Sequence, residues 1–292
     1  MSEGKLVILA GGISSRMKKP AASEEKIDNQ LINDADNKAK SMIGVGDNYR
    51  PFLDYLLYNA REAGYKDILI VIGEKDNSIK EYYGTKEEGN EFFGLSISYG
   101  VQKIPPGKTK PIGTADALYQ GLLYKKDWSG KRFTVCNSDN LYSIKSLKLM
   151  LSEKYPNSMV DYNRDALEFE LSRIEKFAVT KKDEKNFLVD IIEKPTADEI
   201  ESVKAKDGSV GVSMNIFSLN YDLILPFLKN VPFHPVRQEK ELPEAVKMMT
   251  MGYHGAVYAY PVSEHVPDLT NKNDIIPVKK YLEKHYSNSL FK

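Results

Sequence analysis

The stretch Gly11-Gly12-Ile13-Ser14-Ser15-Arg16 follows directly on the apolar run Leu6-Val7-Ile8-Leu9-Ala10. A short continuous apolar run that ends in paired glycines reads as a buried parallel strand feeding a tight turn. Such a turn lets backbone N–H groups approach phosphate oxygens, and Arg16 adds a planar fork able to grip a triphosphate. Taken alone, the same residues also fit a glycine-rich βα turn with a solvated basic tail. Carboxylates recur farther along, at Asp139 after an apolar strand, at Glu193-Lys194-Pro195 and at Asp268. Ligands gather at the C-terminal strand ends of open α/β sheets, where Asp139 is expected to stand. Each group has a plainer reading beside this one. Asp139 could cap a helix or a turn, Asp268 could shape a turn, and Glu193-Lys194-Pro195 could be a solvated strand end stopped by proline. Gln102 could be a surface residue, and Asp116 an acid interacting with a helix dipole. Nucleophilic catalysis finds no Ser-His-Asp or Cys-His set. His234, His254, His265 and His285 are scattered, with no pair at metal-ligand spacing, and read as structural or surface residues.

The elements needed to position these groups follow from the hydrophobic pattern. Strands are expected over residues 6–10, 67–72, 95–101 and 133–136, and helices over 52–60, 79–83, 115–123 and 144–154. This alternation argues a parallel sheet with helices on both faces. Residues 21–39 are polar and read as a mobile loop, with room for a short helix around Gln30-Leu31-Ile32. The second half differs. Residues 177–180 and 187–192 flank a charged turn and look like a hairpin. Further strands are expected at 210–219 and 256–262, and helices at 223–228, 242–251 and 275–285. The whole is expected to be one α/β domain on a doubly wound, mostly parallel sheet with a smaller α+β part.

Composition narrows the function. The 292 residues carry 41 basic and 41 acidic side chains, a formal net charge of zero, which argues against a dedicated nucleic-acid binder. Cys136 is the single cysteine, so neither an intramolecular disulfide framework nor a Cys-rich zinc site is available. No run approaches the ~20 apolar residues of a membrane helix. The apolar run after Met1-Ser2-Glu3-Gly4-Lys5 is too short for a signal-peptide core, so the expected location is cytoplasmic, with no membrane partner.

The ordered set of motifs carries a resemblance. The turn through Arg16 resembles the G-x-G-[ST]-R-[LM] signature of the sugar nucleotidyltransferases, the nucleotide-diphosphate-sugar pyrophosphorylases. Lys40-Ser41-Met42-Ile43-Gly44-Val45-Gly46 is similar to that family's K-x-[LM]-x-x-V-G segment. Gln102 with Gly113-Thr114-Ala115-Asp116-Ala117 is similar to its Q-(x)n-G-T-A-x-A element. Asn137-Ser138-Asp139-Asn140 resembles its G-D-[ND] metal site, and Glu193-Lys194-Pro195 its E-K-P element. Ser213-Met214-Asn215-Ile216-Phe217 resembles the strand that follows, and the segment from Pro267 to Asp274 resembles W-x-D-[IT]-[GN]-[ST]-x-x-D without the Trp. The matches keep the family's order over nearly the whole chain. Two departures stand out: Ser14 replaces the usual second glycine, and the interval from Arg16 to Lys40 is long.

The resemblance implies a Rossmann-like nucleotidyltransferase fold, with residues 1–150 as the nucleotide-binding half and 151–292 as the sugar-phosphate half. It implies nucleotide binding by Gly11, Gly12, Ser14, Ser15, Gln102, Gly113 and Thr114. Arg16, Lys40 and Lys194 would be the phosphate-handling catalytic groups, Glu193 and Asn215 would bind sugar, and Asp139 and Asp268 would hold Mg²⁺. The implied partners are a nucleoside triphosphate and a sugar 1-phosphate, and a homo-oligomer is compatible with the family. Transfer of cytidylyl type to another phosphorylated acceptor, or a weakly active nucleotide-sugar-binding regulatory protein, are the competing expectations. In the implied reaction the attacking phosphate is already an anion, so no base and no protein nucleophile is needed. Positioning and neutralisation of phosphate charge remain as the catalytic work. Lys40 is preferred over Lys19 as the phosphate lysine because only the residues after Lys40 continue the pattern. Accordingly, Lys40→Met should lower kcat by orders of magnitude and Lys19→Met by little. Steady-state kinetics of the two variants check this, and the reverse ranking would move the phosphate lysine into the Arg16 loop.

Overall fold

Leu6, Ile8 and Ala10 pack into the hydrophobic core on one side of their strand, and Val7 and Leu9 into the core on the other. That two-sided burial explains why the run is continuously apolar rather than alternating. The computed structural model describes residues 3–20 and 27–286. In chain order the strands are β1 (Gly4–Ala10), β2 (Tyr65–Gly73), β3 (Asn90–Phe92), β4 (Leu95–Gln102), β5 (Arg132–Asn137), β6 (Ser158–Asn163), β7 (Val179–Lys182), β8 (Leu188–Ile192), β9 (Gly211–Asn220) and β10 (Tyr258–Val262). The helices are α1 (Asn29–Asn37), α2 (Phe52–Ala63), α3 (Ser78–Tyr83), α4 (Thr114–Leu122), α5 (Ile144–Met150), α6 (Leu171–Ile174), α7 (Ala197–Ser202), α8 (Tyr221–Asn230), α9 (Leu242–Gly252) and α10 (Ile275–His285).

The strands form one sheet in the order β10-β6-β9-β5-β1-β2-β4-β3, with the hairpin β7–β8 joined to β9 through Val179 and Val212. β5, β1, β2 and β4 are mutually parallel neighbours, whereas β9 runs antiparallel between β5 and β6. α2, α5 and α10 pack on one face, and α4, α8 and α9 on the other. This is the doubly wound, mostly parallel α/β architecture expected from the alternation of elements. Each large apolar side chain buried between these layers contributes about 1.5–3 kcal/mol.

From β1 the chain moves outward to β2 and β4, then returns to place β5 on the other side of β1. The order therefore reverses between β1 and β5, and a crevice opens beyond their C-terminal ends. Strand β10 is parallel to β6, which runs in the same sense as β5. Its C-terminal end therefore lies on the same side of the sheet as this crevice.

Several expected boundaries shift. The reading of 21–39 as a loop with a short helix is corrected. A nine-residue helix occupies Asn29–Asn37, while residues 21–26 lie outside the described residues. α1 begins where the Asp28 side chain accepts the Gln30 N–H, and Leu31 and Ala35 anchor it in the core. Its acids reach outward to the scaffold, with Asp34 accepting the Gly44 N–H and Asp36 pairing with Lys272. α5 stops at Met150 rather than 154. Strands β3 and β6 and helices α6 and α7 had no expectation at all. The remaining elements fall within a few residues of their expected positions, as where α2 ends on Gly64 at a left-handed φ of 109°. No helix among the described residues is long and apolar enough to cross a membrane.

Candidate active site

A cleft of about 510 Å³ opens at the reversal point, lined on one wall by the turn after β1. Gly11 is buried there, and a Cβ on it would meet Gln102 Oε1 at 2.8 Å. A side chain at this position would therefore displace the Gln102 amide. A Cβ on Gly12 would meet nothing within 4 Å, so no neighbour in the protein requires glycine there. Ser14, at the departure from the family pattern, takes a left-handed φ of 56° and is buried. The Lys18 N–H bonds to its carbonyl at 3.2 Å, closing the turn. Arg16 lines the cleft with an exposed side chain.

Across the cleft, β5 delivers Asp139. The Ser138 N–H bonds to Leu9 O at 3.1 Å, which locks the end of β5 to that of β1. Lys40 begins a single 3-10 turn, Lys40–Met42, and its Nζ lies 2.5 Å from Asp139 Oδ2. Burial works to push the Asp139 carboxyl up, but the Lys40 charge and hydrogen bond, with Arg16 at longer range, hold it below the usual carboxylate range. Asp139 does not cap α5, because the Ser143 side chain does so by accepting the Ser146 N–H. Lys19 does not line the cleft and is exposed.

Asp268 arrives from the far edge of the sheet. After β10 the chain runs back across the strand ends, and Asp268 forms an antiparallel bridge with Asn140. The Leu269 N–H bonds to Asp139 O at 2.8 Å and the Leu141 N–H to Pro267 O at 2.9 Å. The two acids, 129 residues apart in sequence, thus line one cleft from adjacent backbones. Burial and the neighbouring Asp139 charge push the Asp268 carboxyl up to about 6, against the opposing Arg173 guanidinium. Two buried like charges facing one cavity make a place where a cation is favoured. Among the described residues no group of three or more His, Cys, Asp or Glu side chains could hold a metal, and Asp139 and Asp268 are the acids here that would hold a cation. That set fits Mg²⁺, which keeps waters and phosphate oxygens in its shell.

The residues expected to meet a base are built into the scaffold more deeply than their motif suggests. Gln102 is 2% exposed, which overturns its reading as a surface residue. Its Nε2 donates to Gly113 O at 3.0 Å and to Asp116 Oδ2 at 2.8 Å. Gly113 has φ 112°, and a Cβ there would stand 2.3 Å from Lys240 O. Thr114 Oγ1 accepts the Leu242 N–H at 2.9 Å and ties the start of α4 to the start of α9. Glu193 and Asn215 line the opposite wall, Asn215 with a left-handed φ of 57°. Lys194 is the residue least like its expectation. It is exposed at φ 48° and is not among the residues lining the cleft.

Residues that the sequence did not single out complete this wall. Arg237 binds Glu193 through Nη2 at 3.1 Å and Glu241 through Nη1 at 2.8 Å. Lys110 pairs with Glu239 at 2.5 Å. In the sequence Arg237-Gln238-Glu239-Lys240-Glu241 is indistinguishable from a solvated charge run. Only the i,i+4 spacing of Arg237 and Glu241 hinted at an ordered pair. His234 and His265 serve as backbone acceptors, from Arg237 N–H and Glu168 N–H at 3.1 Å each.

Comparison with known proteins bears on the family and the fold. The sequence pattern described as Nucleotidyl transferase matches residues 32–265. The D-glycero-alpha-D-manno-heptose 1-phosphate guanylyltransferase of Campylobacter jejuni is 28% identical over 147 residues, which is 50% of this chain and 52% of that protein. A glucose-1-phosphate adenylyltransferase of Photobacterium profundum is 27% identical over 222 residues, 75% of this chain and 49% of that protein. The chain thus spans about half the length of the curated relatives it matches. A UDP-glucose pyrophosphorylase in complex with UDP-glucose superposes with a TM-score of 0.68 at 18% identity, covering 97% of this chain and 99% of that one. A UTP-bound UGPase from Acinetobacter baumannii gives 0.67 at 18% identity, covering 99% and 95%. These two show a shared fold.

Glu241 gives this wall a pH dependence. Burial pushes its carboxyl up to about 7, against the Arg237 charge and with Glu193 and Glu239 adding to the rise. The native protein therefore holds this proton above the pH at which the unfolded chain, near its ordinary value of 4.5, releases it. Stability is then lost as pH rises through that window. The melting temperature of Glu241→Gln, measured relative to the unmodified protein, should rise between about pH 5 and about pH 8. A difference that stays constant with pH would contradict the assignment.

Proposed function

The chain belongs to the nucleotidyl transferase family, and on that premise we propose that it transfers a nucleoside monophosphate from a nucleoside triphosphate to a sugar 1-phosphate. One observation carries the reading. A glycine turn, Arg16, Lys40 and two carboxylates from distant parts of the chain meet in one cleft at the reversal point of the sheet. A phosphate-binding turn alone would serve any nucleotide protein. Its conjunction with two adjacent acids suits a polyphosphate that is to be cleaved.

In the proposed reaction an oxygen of the sugar phosphate attacks the α-phosphorus in line. The new P–O bond forms as the bond to the β-phosphoryl oxygen breaks, and pyrophosphate departs with the electron pair. The N–H groups after β1 and the Arg16 guanidinium hold the leaving phosphates. Lys40 exchanges its pairing with Asp139 for the phosphate charge that develops. Asp139 and Asp268 would hold Mg²⁺, which when bound neutralises polyphosphate charge. Gln102 and the backbone at Gly113 face the base, and Glu193 and Asn215 the sugar. In this reading one domain divides its work, with residues 1–150 serving the nucleotide and 151–292 the acceptor. Lys194 then acts at the mouth of the cleft, where its charge is felt by Glu241, and would have to turn inward to meet an acceptor phosphate.

A screen of the common nucleoside triphosphates against several sugar 1-phosphates, followed by pyrophosphate release, tests the proposal. Release should require both substrates. Release from the triphosphate alone would make the protein a hydrolase, and no release with any pair would leave a binding protein. Gly12→Ala sharpens the test. Because its Cβ meets no protein atom, the melting temperature should hold while the apparent nucleotide KM rises at least about tenfold, a cost of about 1.4 kcal/mol in binding.

A further inference from the structure

Asp268 is braced from behind. Arg173, on α6 in the excursion between β6 and β7, lies with Nη2 2.6 Å from Asp268 Oδ2 and Nη1 2.5 Å from Asp274 Oδ1. Its guanidinium stands over the Phe169 ring, 4.4 Å from the centroid. Asp274 is itself immobilised, because its Oδ2 accepts the N–H groups of Thr270 and Asn271 at 2.8 Å each. The other oxygen of Asp268, Oδ1, accepts the Thr270 hydroxyl at 2.6 Å. Both oxygens of one candidate cation ligand are thus tied down, one of them by a fork whose second tine rests on a backbone-fixed carboxylate. Asp268 and Thr270 line the cleft, and Arg173 does not.

We propose that Arg173 is a positioning residue: without touching substrate, it fixes the orientation of the Asp268 carboxylate and so sets the affinity of the cleft for a divalent cation. The inference rests on the reading of Asp139 and Asp268 as the cation-binding pair. A carboxylate oxygen has two acceptor sites, so one hydrogen bond from behind leaves it able to bind a cation. Groups that orient a metal ligand in this way commonly change metal affinity by 10–100-fold. The planar fork offers each carboxylate its own Nη at a fixed separation. A lysine restores the charge but not that fixed geometry. The same excursion carries Lys176 and Phe177 into the lining of the cleft, so the strut joins the cation ligand to the acceptor wall.

Binding of Mn²⁺ alone, followed through the electron paramagnetic resonance of the free ion, tests the proposal without any turnover. Native protein, Asp268→Asn, Asp139→Asn, Arg173→Met and Arg173→Lys are compared, with melting temperatures recorded for each. Arg173→Met should weaken Mn²⁺ binding roughly tenfold or more in the folded protein, and Arg173→Lys should recover only a small part of the loss. Unchanged or tighter binding in Arg173→Met would overturn it, since a merely structural pair would leave affinity alone and a competing cation would raise it on removal. Full recovery by lysine would also overturn it, because charge rather than orientation would then suffice. If Arg173→Met does not fold, Asp274→Asn withdraws one anchor of the fork and should itself weaken Mn²⁺ binding at least about threefold, with no change overturning the idea. If Mn²⁺ binding is indifferent to both Asp139→Asn and Asp268→Asn, the cation-binding reading fails and the inference with it. Sensitivity to those two together with indifference to Arg173 sinks the inference alone.

Discussion

A half-buried carboxylate at the end of a central strand is compensated by Lys40, and on that Lys40–Asp139 pair the rest of the cleft depends. Removing either partner would leave the other charge partly desolvated and unpaired. Asp139 is presented by β5 at the point where the sheet order reverses, beside a second acid whose own charge is held by Arg173. The charges at the cleft are thus paired, Lys40 with Asp139 and Arg173 with both Asp268 and Asp274, while Arg16 lines the cleft exposed. In the proposed function a polyphosphate with its cation would enter by exchanging these pairings, which avoids creating uncompensated charge.

The scaffold makes that arrangement rigid by simple means. Backbone hydrogen bonds from Ser138 to Leu9, from Leu269 to Asp139 and from Leu141 to Pro267 register three strand ends against one another. The reach from β10 back to β5 gives Asp268 its place, although β10 stands at the sheet edge. The long interval between Arg16 and Lys40 is partly used to build α1, which is tied to the Lys40 segment through Asp34 and Gly44 and to the Asp268 segment through Asp36 and Lys272. Both sides of the charge balance are thereby connected to one helix.

How much of this was legible in the sequence depends on what buries each element. β1, β2 and β5 are covered on both faces, and their apolar runs announced them, whereas β4 was announced by alternation with serine, Leu95, Ile97 and Tyr99 packing on one face. β6 did not, because its Ser158-Met159-Val160-Asp161-Tyr162-Asn163 includes an acid that is buried only by pairing with Lys182 and Thr180 on β7. α1 is rich in Asn and Asp, poor helix formers, and is held by tertiary ties that no local pattern reveals. At the site, the order of motifs placed Arg16, Lys40, Asp139 and Asp268 around one cleft, since each ends or follows an element whose direction the fold dictates. Arg173, Arg237 and Glu241 gave no comparable signal, being charged residues whose partners lie 95 or 44 positions away or on a neighbouring turn. Lys194 shows the converse. Its motif was clear, yet a left-handed backbone at the end of β8 turns it out of the cleft.

The central claim is that Lys40 trades Asp139 for phosphate. A crystal structure of the protein with Mg²⁺ and a nucleoside triphosphate that supports pyrophosphate release tests it most directly. The account predicts the polyphosphate lying between the Gly11-Gly12 turn and Lys40, with Lys40 Nζ released from Asp139 and within about 3 Å of a phosphate oxygen. A triphosphate bound elsewhere, or one bound here while Lys40 keeps its 2.5 Å contact with Asp139, would contradict it.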